Sequence, residues 1–169
     1  MAADPAVTTP RKRITTPDGT VAELIETRPS SLPGRGSSRT KARKRALDIL
    51  FEADLRGVDA AGPLALHIAE ADPPVRPFTV ALVEGVAARQ AEIDALIAGC
   101  LAAGWTMERM PRVDRCLARV ALWEMLDGTT SAEVALEQAV SLAQELSTDA
   151  SATFLNGVLA RARERITAG

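Results

Sequence analysis

From residue 38 to residue 166, apolar side chains recur at every third or fourth position, the spacing that lines one face of an α-helix. Val113, Cys116, Leu117, Val120, Ala121, Trp123 and Leu126 are the strongest example. Strands have little to be built from: 31 residues are alanine, five are aromatic and none is tyrosine. Local punctuation then divides the pattern. Ser37 or Ser38 is placed to cap a first helix over 38–56 that Gly57 stops. Pro63 opens a short helix over 64–71, and Pro77 opens a long one over 77–103 with Gly85 as its bend. A short helical turn is expected between Gly104 and Pro111, around Trp105, Met107 and Met110. A helix over 112–126 follows. The next runs to residue 146 from the capping-box spacing Thr130-Ser131-Ala132-Glu133, and Asp149 or Ser151 caps the last. The expected body is all-α, a single compact domain of about six to seven helices.

Residues 1–37 read differently. Five prolines, many serines and threonines, and little apolar surface beyond 21–25 predict a disordered extension ahead of the folded domain at 38–169. The formal net charge of −2 conceals an uneven distribution. Residues 1–45 hold ten Lys/Arg and four Asp/Glu, whereas the remainder holds ten and eighteen. A basic end on an acidic body points to an anionic partner. No apolar run reaches the roughly 18 residues of a membrane span, and no apolar signal core opens the chain. A cytoplasmic protein without membrane association is expected. Cys100 and Cys116 are too few for a disulfide framework and match no metal spacing. Both sit in apolar helical patterns, as buried thiols of a reducing compartment do.

Catalysis finds little to work with. His67 is the one histidine; Leu66 and Ile68 flank it, and no carboxylate or cysteine stands at ligand spacing. There is no phosphate-cradling glycine loop, zinc spacing or nucleophile elbow. A non-enzymatic protein without metal or cofactor is the expectation. The start of the first helix says more. Arg39, Lys41, Arg43, Lys44 and Arg45 place five cations in seven residues, with Lys41, Lys44 and Arg45 sharing a face. They repel one another and oppose the helix dipole, and an anion offsets both costs. Nucleic acid satisfies that pattern; so does water around a solvated basic face. No helix-turn-helix recognition helix follows, so single-stranded RNA fits better than duplex DNA, with Phe154 or another aromatic to stack on a base.

Arg39-x-Lys41-Ala42-Arg43, followed by an apolar run to Phe51, resembles the arginine-rich first helix of the NusB family of bacterial transcription antitermination factors. Val113-Asp114-Arg115-x-Leu117-x-Arg119-Val120-Ala121-Leu122-Trp123-Glu124 is similar to that family's central helix. Glu133-Val134-Ala135 through Ala139-Val140-x-Leu142-Ala143 resembles its penultimate helix. Ser151-x-x-Phe154-Leu155-Asn156-Gly157-Val158-Leu159 is similar to its final motif. The match runs in order from 38 to 166 and leaves the extension outside.

The resemblance implies two three-helix bundles. It implies binding to boxA, a single-stranded element of nascent ribosomal RNA leaders, together with NusE, a small-subunit ribosomal protein. It also implies that the pair holds RNA polymerase in a termination-resistant antitermination complex. By position, Arg39, Lys41 and Arg43, with Lys44 and Arg45 beside them, and Asp114 and Phe154 would face RNA. Phe51, Gln138, Leu146, Asp149 and Ala150 would face NusE. The residues themselves leave other roles open: Phe51 and Phe154 suit a core, and Asp114 suits a first-turn carboxylate complementing the dipole. Ala150 and Gln138 depart from the acidic residue and the glutamate that the family commonly carries there. Asn156 and Gly157 read as structural, an amide holding the preceding loop and a close helix crossing. Two rivals stand beside this reading. One is an accessory domain of the kind found with RNA cytosine methyltransferases, which needs a separate catalytic chain. The other is a helical adaptor that self-associates through its basic helix, a homodimer that conceals the RNA surface.

Overall fold

Helical periodicity after residue 38 is matched by helices, and local chemistry sets most of their ends. The structure, a computed structural model, describes residues 12–15, 21–24 and 37–169. The chain divides into two units, Met1–Gly36 and Ser37–Gly169. In the first, β1 (Lys12–Thr15) pairs antiparallel with β2 (Val21–Leu24), Lys12 opposite Leu24 and Thr15 opposite Val21. Composition alone assigns no element to these residues. Ile14, Thr15 and Val21 are nevertheless β-branched, and the intervening Thr16-Pro17-Asp18-Gly19-Thr20 carries turn-forming chemistry. The rest of the expected disordered extension lies outside the described residues.

The second unit is helical. It comprises α1 (Ser38–Arg56), α2 (Ala61–Glu70), α3 (Pro77–Cys100), α4 (Arg112–Asp127), α5 (Ala132–Leu146) and α6 (Ser151–Ala168), with a 3-10 turn at Met107–Arg109. Helices α1 to α3 pack on one another, as do α4 to α6, giving two three-helix bundles; α4 also packs against α1 and α3. Residues 116–125 of α4 are all buried, so this helix is the shared centre of both bundles. Small side chains let its neighbours come close: Ala118 and Ala121 of α4 and Ala135, Ala139 and Ala143 of α5 are buried.

Ser37 caps α1, its hydroxyl accepting from the Thr40 amide at 3.2 Å, and Gly57 ends the helix in the left-handed region at φ 64°. Other ends differ from expectation. Ser131, not Thr130, caps α5 by accepting from the Val134 amide; Thr130 instead donates its hydroxyl to buried Glu124 at 2.7 Å. Neither Asp149 nor Ser151 caps α6. Ala150 holds that position without a side-chain bond, while the Ser151 hydroxyl accepts from the Thr148 amide at 3.2 Å. The helical break in α3 falls at Arg89 (φ −117°, ψ 18°) rather than at Gly85. Gly85 serves packing: a Cβ there would overlap the Trp123 indole. The expected close crossing at Gly157 is absent, since a Cβ there would meet only the Arg161 guanidinium, at 3.5 Å. Asn156 is exposed and makes no side-chain hydrogen bond among the described residues, so it does not hold the loop.

Candidate nucleic-acid interface

The first turns of α1 contain no acidic residue, and packing divides their cations into two kinds. Arg39 and Lys41 are exposed and Arg45 is half-buried. Arg39 lays its guanidinium over the Phe78 ring of α3, 4.7 Å from the centroid, which fixes an otherwise loose side chain. Lys44 bonds Glu145 of α5 at 2.6 Å, an exposed pair that competes only weakly with other anions. Arg43 is different. It is 4% exposed, and its Nε and a terminal nitrogen donate to both carboxylate oxygens of Glu124, at 2.9 and 2.7 Å. A bidentate pair of this kind leaves no free edge for phosphate. The expectation that Arg43 faces RNA is therefore corrected: it ties α1 to α4.

Asp114 is corrected as well. It is 1% exposed and accepts a hydrogen bond from the Ser147 hydroxyl, so it anchors the connection between α5 and α6 and is closed to a base. Phe154 is half-buried and stacks against Trp105, ring centroids 5.2 Å apart and planes tilted by 43°. Arg109 covers Trp105 at 5.3 Å. Trp105 is 42% exposed, so this aromatic pair with its cation reaches the surface. Sequence spacing reads Trp105 only as part of a connector, because its neighbour Phe154 lies in α6.

Phe51 is partly buried and packs against the core. It lies two turns beyond Lys44 on one face of α1, and Lys44 is bonded to Glu145, next to Leu146. That pair brings α1, which carries Phe51, and the end of α5, which carries Leu146, together. Leu146, Asp149 and Ala150 are exposed there, and Leu55 extends the apolar row on α1, 58% exposed. Gln138 spends an acceptor inward, taking a hydrogen bond from the Thr40 hydroxyl at 2.9 Å.

A cluster that the sequence analysis missed lies on α4. Arg112, Arg115 and Arg119, three and four residues apart, converge on Asp54 of α1 at 2.7, 2.6 and 2.8 Å, and Arg119 also reaches Asp94 of α3 at 2.7 Å. Three arginines at helical spacing in an apolar segment are the signal that marks it. Burial opposes ionisation of Asp54, but hydrogen bonds from Arg115, Arg119 and Arg112 outweigh it and hold the carboxyl well below its usual range. His67 gains a carboxylate that sequence spacing does not show: its Nε2 lies 3.0 Å from Glu52 of α1. Cys100 and Cys116 are free and buried; burial, reinforced by the Asp54 charge, pushes the Cys116 thiol up to about 11. Among the described residues, no group of His, Cys, Asp and Glu is placed to hold a metal ion, and no helix is long and apolar enough to cross a membrane.

Known proteins resemble this arrangement over the helical unit. The NusB family model matches residues 40–164. The transcription antitermination protein NusB of Acidothermus cellulolyticus is 58% identical over 127 residues, spanning 75% of this chain and 87% of that protein. Its counterpart in Salinispora tropica is 52% identical over 136 residues, spanning 77% and 98%. In fold, the chain is similar to T. maritima NusB, with a TM-score of 0.67 at 24% identity over 77% of this chain and 93% of the other. It is likewise similar to a chain from a complex of antitermination factors NusB and NusE with dsRNA, with a TM-score of 0.66 at 22% identity over 75% and 96%. With a family match across most of the helical unit and relatives at half identity or above, the chain belongs to the NusB family.

Proposed function

We propose that this chain is a cytoplasmic transcription antitermination factor. It binds single-stranded boxA RNA of ribosomal RNA leaders together with NusE, and the assembly keeps RNA polymerase resistant to termination. One observation carries the reading: Arg39 and Lys41 are exposed and Arg45 half-buried, none of them in an ion pair among the described residues, while the fold consumes Arg43. Cations that the fold does not need are available to phosphates. Phe154, beside Trp105, supplies a sequence-tolerant stacking surface, and Phe51, Leu146, Asp149 and Ala150 form the side that receives NusE, with Gln138 contributing from α5. The family membership of the chain, and the antitermination named for its relatives, support the same conclusion. The protein acts by binding and has no turnover of its own.

The test is a titration of boxA RNA at several salt concentrations, with and without NusE. Three phosphate contacts give a log–log salt slope of about −2 for a single strand. The triple substitution Arg39→Ala, Lys41→Ala, Arg45→Ala should flatten that slope and weaken RNA binding while leaving NusE binding intact. A folded triple variant that holds boxA RNA as tightly as the wild type would overturn the proposal. Methyl transfer to RNA by the purified chain, with a donor supplied, would overturn its non-enzymatic part.

A further inference from the structure

Beside the basic turns of α1 lies a recess of about 340 Å³, closed on its other side by residues 71–76 and the first turn of α3. Lys41, Lys44, Arg45 and Arg76 line it, against the carboxylates of Asp48 and Asp72. A second recess of the same volume, around Asp54, is also rich in arginine and provides a contrast. There Arg112, Arg115 and Arg119 are all bound to carboxylates, so their charge is already answered within the fold. In the recess beside α1, Lys44 alone among the four cations has a carboxylate partner within the described residues, Glu145. Lys41, Arg45 and Arg76 line one concave site and make no ion pair among the described residues, although the Arg45 charge is felt by Asp48. Like charges gathered in a part-enclosed site repel more strongly than on open surface, and an anion removes that cost. Pro73 and Pro74 add rigid apolar wall, and the two carboxylates offer acceptors for base amino groups. A cationic site with apolar wall and acceptors suits a nucleotide, whose base can use the wall and the acceptors, better than a small free anion, which can use the cations alone.

We propose that this recess is a nucleotide subsite of the RNA track, in which Arg76, with Lys41 and Arg45, holds a backbone phosphodiester of single-stranded RNA. The inference rests on the RNA-binding function proposed above and extends the RNA surface from α1 to the segment that enters α3. Arg76 is the discriminating residue because it lies outside the arginine-rich helix. It is exposed, and its side chain makes no cap bond to α3, so the fold does not depend on it.

The experiment measures binding of the full chain to a 5′-labelled single-stranded boxA RNA by fluorescence anisotropy across a potassium chloride series. Wild type is compared with Arg76→Ala, Arg76→Glu and Arg39→Ala; Arg39 lies outside the recess. Arg76→Ala should weaken RNA binding on the order of tenfold, as loss of one charge-assisted contact does. It should also make the salt slope shallower by about 0.7. Arg76→Glu should weaken binding further, and both variants should keep the wild-type circular dichroism and melting temperature. If both Arg76 variants bind as wild type while Arg39→Ala is weakened, the subsite is overturned and the α1 surface stands. If wild type shows no salt-dependent RNA binding, the functional reading fails and the subsite with it. Replacing chloride by inorganic phosphate at constant ionic strength separates the two phosphate sources. Equal RNA affinity in both salts is expected, and RNA displacement by phosphate that Arg76→Ala abolishes would overturn the diester assignment. Loss of NusE binding by Arg76→Ala, with RNA binding intact, would overturn it in favour of a protein contact.

Discussion

Arg43 carries the largest consequence of any single residue described. Its partner Glu124 is 1% exposed and accepts a further hydrogen bond from Thr130, so the buried carboxylate is fully served. Arg43→Ala strands that charge, and we expect a loss of about 3–5 kcal/mol in urea unfolding. Arg43→Lys should recover little, because an ammonium cannot reproduce the two-pronged contact. Any RNA defect of Arg43→Ala should then track unfolding and disappear where the variant remains folded. Asp54 sets a pH dependence. Its carboxyl is depressed in the folded protein relative to the ordinary value near 4 in the unfolded chain. The stabilisation is therefore present above about pH 4 and is lost as the pH falls toward the folded value. The urea midpoint should drop between pH 4 and pH 2 in wild type, and less steeply in Asp54→Asn.

Among the elements, α4 does most to join the molecule. It lies between the bundles, reaches α1 through Glu124, Arg112 and Arg115, and reaches both α1 and α3 through Arg119. Apolar packing and ion pairs act on the same helix, so α1 cannot shift along it without breaking a buried charge contact. Where α3 meets α4, Gly85 accommodates Trp123, and substitution has no slack to exploit. Gly85→Ala gains helix propensity yet overpacks this crossing; a net loss of about 1–3 kcal/mol by thermal unfolding is expected. An unchanged or raised melting temperature would show that the indole can move aside.

At the scale of the whole molecule, the described core is drawn entirely from the helical unit, with residues from α1 at one end of the chain to α6 at the other. That unit should fold without residues 1–36. Deleting them is expected to leave the melting temperature within about 2 °C, the shift that a few tenths of a kcal/mol would produce in a domain of this size. A larger fall would show that the preceding unit stabilises the helical one. The same scale sets the two proposed surfaces side by side, joined by the Lys44–Glu145 and Thr40–Gln138 contacts. The exposed cations occupy the start of α1, whereas Leu146, Asp149 and Ala150 sit where α5 passes into α6.

Helix was determined by the sequence itself, because an apolar period of three to four and an abundance of alanine with few aromatic residues act within each segment. So were the ends at Gly57 and Gly128, where a left-handed residue terminates hydrogen bonding only a turn away. The family was legible in short motifs for the same reason. The candidate site was legible only in composition: five cations at the start of a helix announce an anion, but not which of them meets it. Arg39 and Arg43 are the same residue type one turn apart, and what separates them is Glu124, which lies 81 residues from Arg43. His67 finds Glu52, Phe154 finds Trp105, and Arg76 joins Lys41 and Arg45 in the same way, across helices. Capping and periodicity are settled within a few residues of backbone, whereas burial and charge pairing depend on which helix faces meet, and only the packed tertiary structure decides that.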